Sequence, residues 1–77
     1  APNPFVGYVT VQLPAAQAGK LQLDLLDQSG KLIMKREYLL QTGLNQLYLE
    51  TGRLPAGTYF LRMYQDGLFT IKKLISR

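Results

Sequence analysis

Apolar and polar residues alternate with a period of two along most of this chain, and each alternating run ends at turn-forming residues. Successive side chains of a β-strand point to opposite faces, so this pattern describes strands with one buried side. In Tyr8-Val9-Thr10-Val11-Gln12-Leu13, the residues Val9, Val11 and Leu13 share one face, and Thr10 and Gln12 take the other. Leu21, Leu23 and Leu25 repeat the pattern, Lys31 to Tyr38 follows it more loosely, and Leu47-Tyr48-Leu49 resumes it after Gly43. Tyr59, Leu61 and Met63 share a face, and Leu68 to Ile75 forms a last run. The spacing predicts an all-β sandwich of about six to seven short strands.

The residues between the runs carry turn chemistry. Asp27-Gln28-Ser29-Gly30 suits a type I turn followed by a glycine in the left-handed region. Asp66-Gly67 is the strongest hairpin signal, because both central positions of a type I′ turn need positive φ. Pro55-Ala56-Gly57 fits a type I turn opened by proline, and on that reading Gly57→Val would crowd the turn. Pro2 and Pro4 bracket Asn3, so residues 1–7 read as an extended lead-in. The loop from Pro14 to Gly19 is the one place with room for a helical turn, and it is too short for such a turn to be stable alone.

Size and composition narrow the function classes. A chain of 77 residues is one domain, residues 1–77. A domain this small buries only about 60–65% of its unfolded surface, so its stability margin is thin. There is no cysteine to add a disulfide and no histidine, so a metal site would lack its usual nitrogen and sulfur ligands. The hydrophobic share of 47% with only 18% charged residues describes a folded domain. The net charge of +4 is spread over scattered lysines and arginines, which weakly supports a polybasic segment for nucleic acid or lipid. No apolar run approaches a membrane span and no signal peptide is visible. The chain starts at Ala1 and not at Met, as expected of a piece of a longer precursor.

Catalysis finds little to work with. Without histidine a nucleophilic triad lacks its base. Ser29 is explained as a turn residue, and Ser76 lies in a terminus expected to fray. Asp27 and Asp66 belong to turns, and the remaining acids are scattered, so neither a carboxylate pair nor a calcium loop is evident. The chain is therefore read as no enzyme, with no cofactor and no metal. Aromatic residues among Arg62, Lys72 and Lys73 imitate a nucleic-acid stacking platform. However, Tyr59 and Phe69 fall on faces expected to point inward, while Arg62 and Lys72 are expected to face solvent. Nucleic acid is accordingly not an expected partner. Leu74 and Ile75 resist a plain reading, because a terminal strand that stays apolar is either buried between sheets or presents a recognition surface.

Four segments occur in a telling order: Pro2-Asn3-Pro4-Phe5, Leu25 to Lys31, Leu54-Pro55-Ala56-Gly57-Thr58-Tyr59-Phe60-Leu61-Arg62, and Lys72-Lys73-Leu74-Ile75-Ser76-Arg77. Together, and over essentially the whole chain, they resemble the type A C-terminal sorting domain of the Bacteroidetes type IX (Por) secretion system. The resemblance implies a small immunoglobulin-like antiparallel β-sandwich that catalyses nothing and ends a larger secreted cargo protein. It also implies export through the periplasm to the outer membrane, cell surface or extracellular space. The implied partners are an outer-membrane translocon, a shuttle protein, and a sortase-like cysteine peptidase that removes the domain. Gly30 and Gly57 match the family's turn glycines, Pro55 its proline, and Tyr59 the aromatic opening the penultimate strand. Lys72, Lys73, Ile75 and Arg77 match the terminal recognition segment, with Leu74 between them. The family often has an aromatic before the first proline, where this chain has Ala1.

The expected mechanism is a folded sandwich that presents its terminal strand, as a backbone edge or as a side-chain surface. Deleting Lys73 to Arg77 is then expected to strand the cargo in the periplasm. The rival reading is an adhesive or carbohydrate-binding module, which would need Tyr8, Tyr48, Phe60 and Tyr64 exposed on one face. Isolated copies are also expected to be prone to strand-exchanged dimers.

Overall fold

The computed structural model describes residues 3–77 as seven strands joined by short loops. They are β1 (Asn3–Phe5), β2 (Gly7–Ala15), β3 (Gly19–Asp27), β4 (Leu32–Leu40), β5 (Gly43–Gly52), β6 (Gly57–Gln65) and β7 (Leu68–Ser76). One sheet has the order β1-β7-β6-β3-β4, and a second pairs β2 with β5. The chain crosses between sheets at β1–β2, β2–β3, β4–β5 and β5–β6, while β3–β4 and β6–β7 are hairpins. This is the immunoglobulin-like plan: a central G-F-C trio (β7-β6-β3) widened by C′ (β4), facing a B-E pair (β2-β5).

The alternating residues meet as the pattern requires. Val9, Val11, Leu47 and Leu49 from the small sheet close over Leu21, Leu23, Leu25, Leu61 and Met63 from the large one. Leu23, Leu25 and Leu61 are completely buried. Burying a leucine or methionine side chain stabilises by about 1.5–3 kcal/mol, so this cluster is the main favourable term.

One expectation needs correction. The sheet is mixed and not purely antiparallel, because β1 pairs parallel to β7, with Asn3, Pro4 and Phe5 beside Leu74, Ile75 and Ser76. Pro2 lies outside the described residues. No helical turn forms after Pro14, since β2 continues through it to Ala15. Pro14 is tolerated because β2 is an edge strand, where one missing N–H costs little.

The hairpin at Asp66-Gly67 is as expected, with φ of 52° and 78° at the two central residues. The Asp27–Gly30 turn is too: the Gly30 N–H donates to the Asp27 carbonyl at 3.0 Å, and Gly30 sits at φ 90°. The Pro55–Gly57 turn is different. Among the described residues, no backbone hydrogen bond closes it. A side chain does so instead: the Tyr59 hydroxyl donates to the Pro55 carbonyl at 2.7 Å. This is a tyrosine corner at the start of the F-position strand. A Cβ added at Gly57 would meet no atom within 4 Å, so glycine is required there by its φ of 155° and not by crowding.

Candidate recognition surface

The four sequence segments converge on one end of the sandwich. Tyr59 lies beside Asp27 on one side and Leu74 on the other. Its ring packs edge-on against Phe5, with centroids 6.1 Å apart. The Arg77 N–H donates to the Phe5 carbonyl at 3.1 Å, and the Ser76 hydroxyl donates to the Leu54 carbonyl at 3.3 Å. Opening segment, middle corner and terminal strand are thus tied together by side-chain and backbone bonds at a single pole. Ser76 is buried, which corrects the expectation of a frayed end.

The Asp27 turn borders the same pole. Its carboxylate accepts from the Ser29 hydroxyl at 2.7 Å and from the Ser29 and Lys31 N–H groups at 2.9 Å. These bonds, the Ser29 hydroxyl first, hold its pKa below the ordinary carboxylate value. Asp27 therefore organises the turn that carries Gly30.

The ambiguity at Leu74 and Ile75 resolves into a divided strand. Leu74 and Ser76 are buried, and Ile75 is half-buried. Leu68 through Lys73 are exposed on both faces, because β7 flanks the sheet and only its last third lies under cover. Lys72, Lys73 and Arg77 are exposed, as a recognition role would require. Lys72 lies opposite the buried Leu61, so it is on the core side of the sheet and not the outer side expected for it.

Phe69 also departs from its expected place. It is 61% exposed and stacks with Tyr64 on the outer face, with ring centroids 6.4 Å apart. The hairpin register pairs Tyr64 with Phe69, and Tyr64 alternates with buried Leu61 and Met63, so both rings point away from the core. Next to them stand Ile71 and Arg62, and Arg62 donates to Asp24 at 3.0 Å across β6 and β3. Asp24, only 4% exposed, also accepts from the Gln22 amide. Gln22, Asp24, Arg62, Tyr64, Phe69 and Ile71 line a shallow hollow on this outer face. Phe69, Ile71 and the Asp24–Arg62 pair lie outside the candidate residues expected from the sequence. For Phe69 and Ile71 the signal was the Asp66-Gly67 turn, whose two-residue loop dictates which residues of β6 and β7 face each other; the Asp24–Arg62 pair follows from the β3–β6 register, which no local turn sets.

A carbohydrate platform built from Tyr8, Tyr48, Phe60 and Tyr64 does not assemble. Tyr8 and Tyr48 stack at 5.3 Å on the outer face of the small sheet, and Tyr64 lies on the outer face of the large one. The molecule therefore carries two separate aromatic pairs on opposite sides.

The family model described as the secretion system C-terminal sorting domain matches residues 1–77, the whole chain. The chain belongs to that family. It is a type IX secretion C-terminal sorting signal on an all-β fold, one part of a larger cargo protein directed to the cell surface or extracellular space. The sorting-domain family is not an enzyme family. No curated protein and no solved structure matches the chain. In this sorting domain, the segments that resemble the family are the ones drawn together at the Tyr59 pole.

Proposed function

We propose that the domain is recognised in folded form, through its terminal strand, by a shuttle protein of the outer-membrane translocon. On this reading the cargo is in transit through the periplasm when it is recognised, and a sortase-like cysteine peptidase afterwards removes the domain. The observation that supports it best is the divided β7: the side chains of Leu74 and Ser76 at its end are buried, while Leu68 to Lys73, still paired with β6, expose theirs. An anchored strand with an exposed apolar and basic flank suits docking to a protein receptor. Phe69, Ile71 and Lys73 provide the side-chain surface, and Lys72 and Arg77 orient the approach by charge more than they add affinity. Gly57, Tyr59, Gly30, Leu54 and Pro55 act by building the pole that holds the strand.

Truncation of Lys73 to Arg77 tests this poorly, since it also deletes buried Leu74 and Ser76. A surface triple variant, Phe69→Ser/Ile71→Ser/Lys73→Glu, in the full precursor leaves the core intact. The expected result is a folded cargo retained in the periplasm, while Tyr8→Ser/Tyr48→Ser on the opposite face exports normally. Normal surface display of the triple variant would overturn the reading.

A further inference from the structure

The hairpin geometry determines which backbone groups of β7 are free. Gln65 and Leu68 flank a two-residue loop and so form a hydrogen-bonded pair, as do Met63 with Thr70 and Leu61 with Lys72. Phe69, Ile71, Lys73 and Ile75 therefore turn their N–H and C=O groups away from β6. At the far end those groups meet β1, and the Arg77 N–H reaches the Phe5 carbonyl. Among the described residues, no strand pairs with this edge before Leu74. Phe69 and Ile71 leave two N–H and two C=O groups facing outward beside apolar side chains 61% and 53% exposed. Between Leu68 and Ile71 there is no proline, bulge or charge to blunt the edge.

The direction of β1 says what can fill it. Each β1 residue lies beside the β7 residue 71 positions later, as Asn3 lies beside Leu74. Because the pair is parallel, a straight extension of β1 beyond its N-terminal end would run along β7 toward Ile71 and Phe69. On a straight continuation, the first residue before Ala1 falls beside Ile71 and the third beside Phe69. The prolines are compatible with this path. Since Phe5 bonds to β7, the odd-numbered residues of β1 face that strand and Pro4 turns its nitrogen away. A proline there costs no ladder bond, and it makes the outer edge of β1 a poor template for a further strand. Pro2 has the same parity in the sequence.

We propose that the segment immediately upstream of Ala1, which links the sorting domain to its cargo, continues β1 as a parallel strand along β7 as far as Phe69. The linker then occupies the backbone edge of the signal strand, which leaves its side-chain face for a receptor. This goes beyond the receptor reading and does not depend on it.

The test is site-resolved amide hydrogen exchange on the full cargo protein. It is compared with a variant carrying proline at the second and fourth positions before Ala1, which face β7, and glycine at the first and third. The Phe69 and Ile71 amides are expected to be protected in the native protein and to exchange about tenfold or more faster in the variant, with Leu23 and Leu61 unchanged. Three outcomes would overturn the proposal: exchange at these two amides as fast as in an unstructured peptide in both proteins, equal protection in both, or protection that grows with protein concentration. The last would mean that a second copy fills the edge. Because the readout is exchange and not export, failure here is separable from failure of the receptor reading.

Discussion

The Tyr59 hydroxyl donates to the carbonyl of Pro55, four residues upstream, at 2.7 Å. This bond closes the turn on the passage from the small sheet back to the large one, where no backbone bond does so among the described residues. It also explains why the ring at this position carries a hydroxyl although its body is buried against Phe5.

Tyr59→Phe keeps the buried ring and loses the corner. Pro55 is exposed, so its carbonyl regains water, and the cost is that of a net hydrogen bond, about 0.5–1.5 kcal/mol. For a domain of this size that lowers the thermal midpoint by about 4–8 °C per kcal/mol. Tyr59→Ala also removes the buried ring and costs about 3–5 kcal/mol, which threatens folding outright. Thermal unfolding of both variants checks the ranking.

At Gly57, strain and crowding predict different things. No atom lies within 4 Å of an added Cβ, and φ is 155°. Ala and Val substitutions should therefore destabilise by similar amounts, about 1–3 kcal/mol each. A Val variant far less stable than the Ala variant in denaturant melts would restore the crowding explanation.

Arg62→Met leaves Asp24 buried without its cation and is expected to cost about 1–3 kcal/mol. Because Arg62 itself is 44% exposed in its side chain, the pair is screened and the value falls toward the lower end. The double variant Asp24→Asn/Arg62→Met should recover part of the loss. A double-mutant cycle on urea midpoints measures the coupling, and strict additivity would show that the two residues do not interact.

Asp27 makes stability depend on pH. Its folded pKa is depressed below the ordinary 3.8, chiefly by the Ser29 hydroxyl, so its contribution is fully present above the unfolded value and is lost as pH falls through the folded one. Asp27→Asn should be less stable than the wild type at neutral pH. The two should converge at acid pH well below 3.8. Denaturant midpoints across that range test the sign, and a gap that persists unchanged in acid would contradict it.

Much of the fold was legible along the chain. The leucines of β3 and the valines of β2 announced their buried faces, and Asp66-Gly67 and Asp27–Gly30 announced their turns, because strand period and turn φ are local properties. The corner at Pro55 was misread for the same reason. Its closing partner is a side chain on the following strand, and turn chemistry examines only the four residues of the turn itself.

An all-β chain, its core residues, its two hairpins and the family its ordered segments resemble can all be read along the sequence. The three-dimensional packing settled that β1 runs parallel to β7, that Phe69 faces out beside Tyr64, and that β7 buries Ser76 but exposes the Ile71 side chain. The physical reason is that periodicity assigns each residue a side of its own strand. Which side is covered, and how far along, depends on where the other sheet ends.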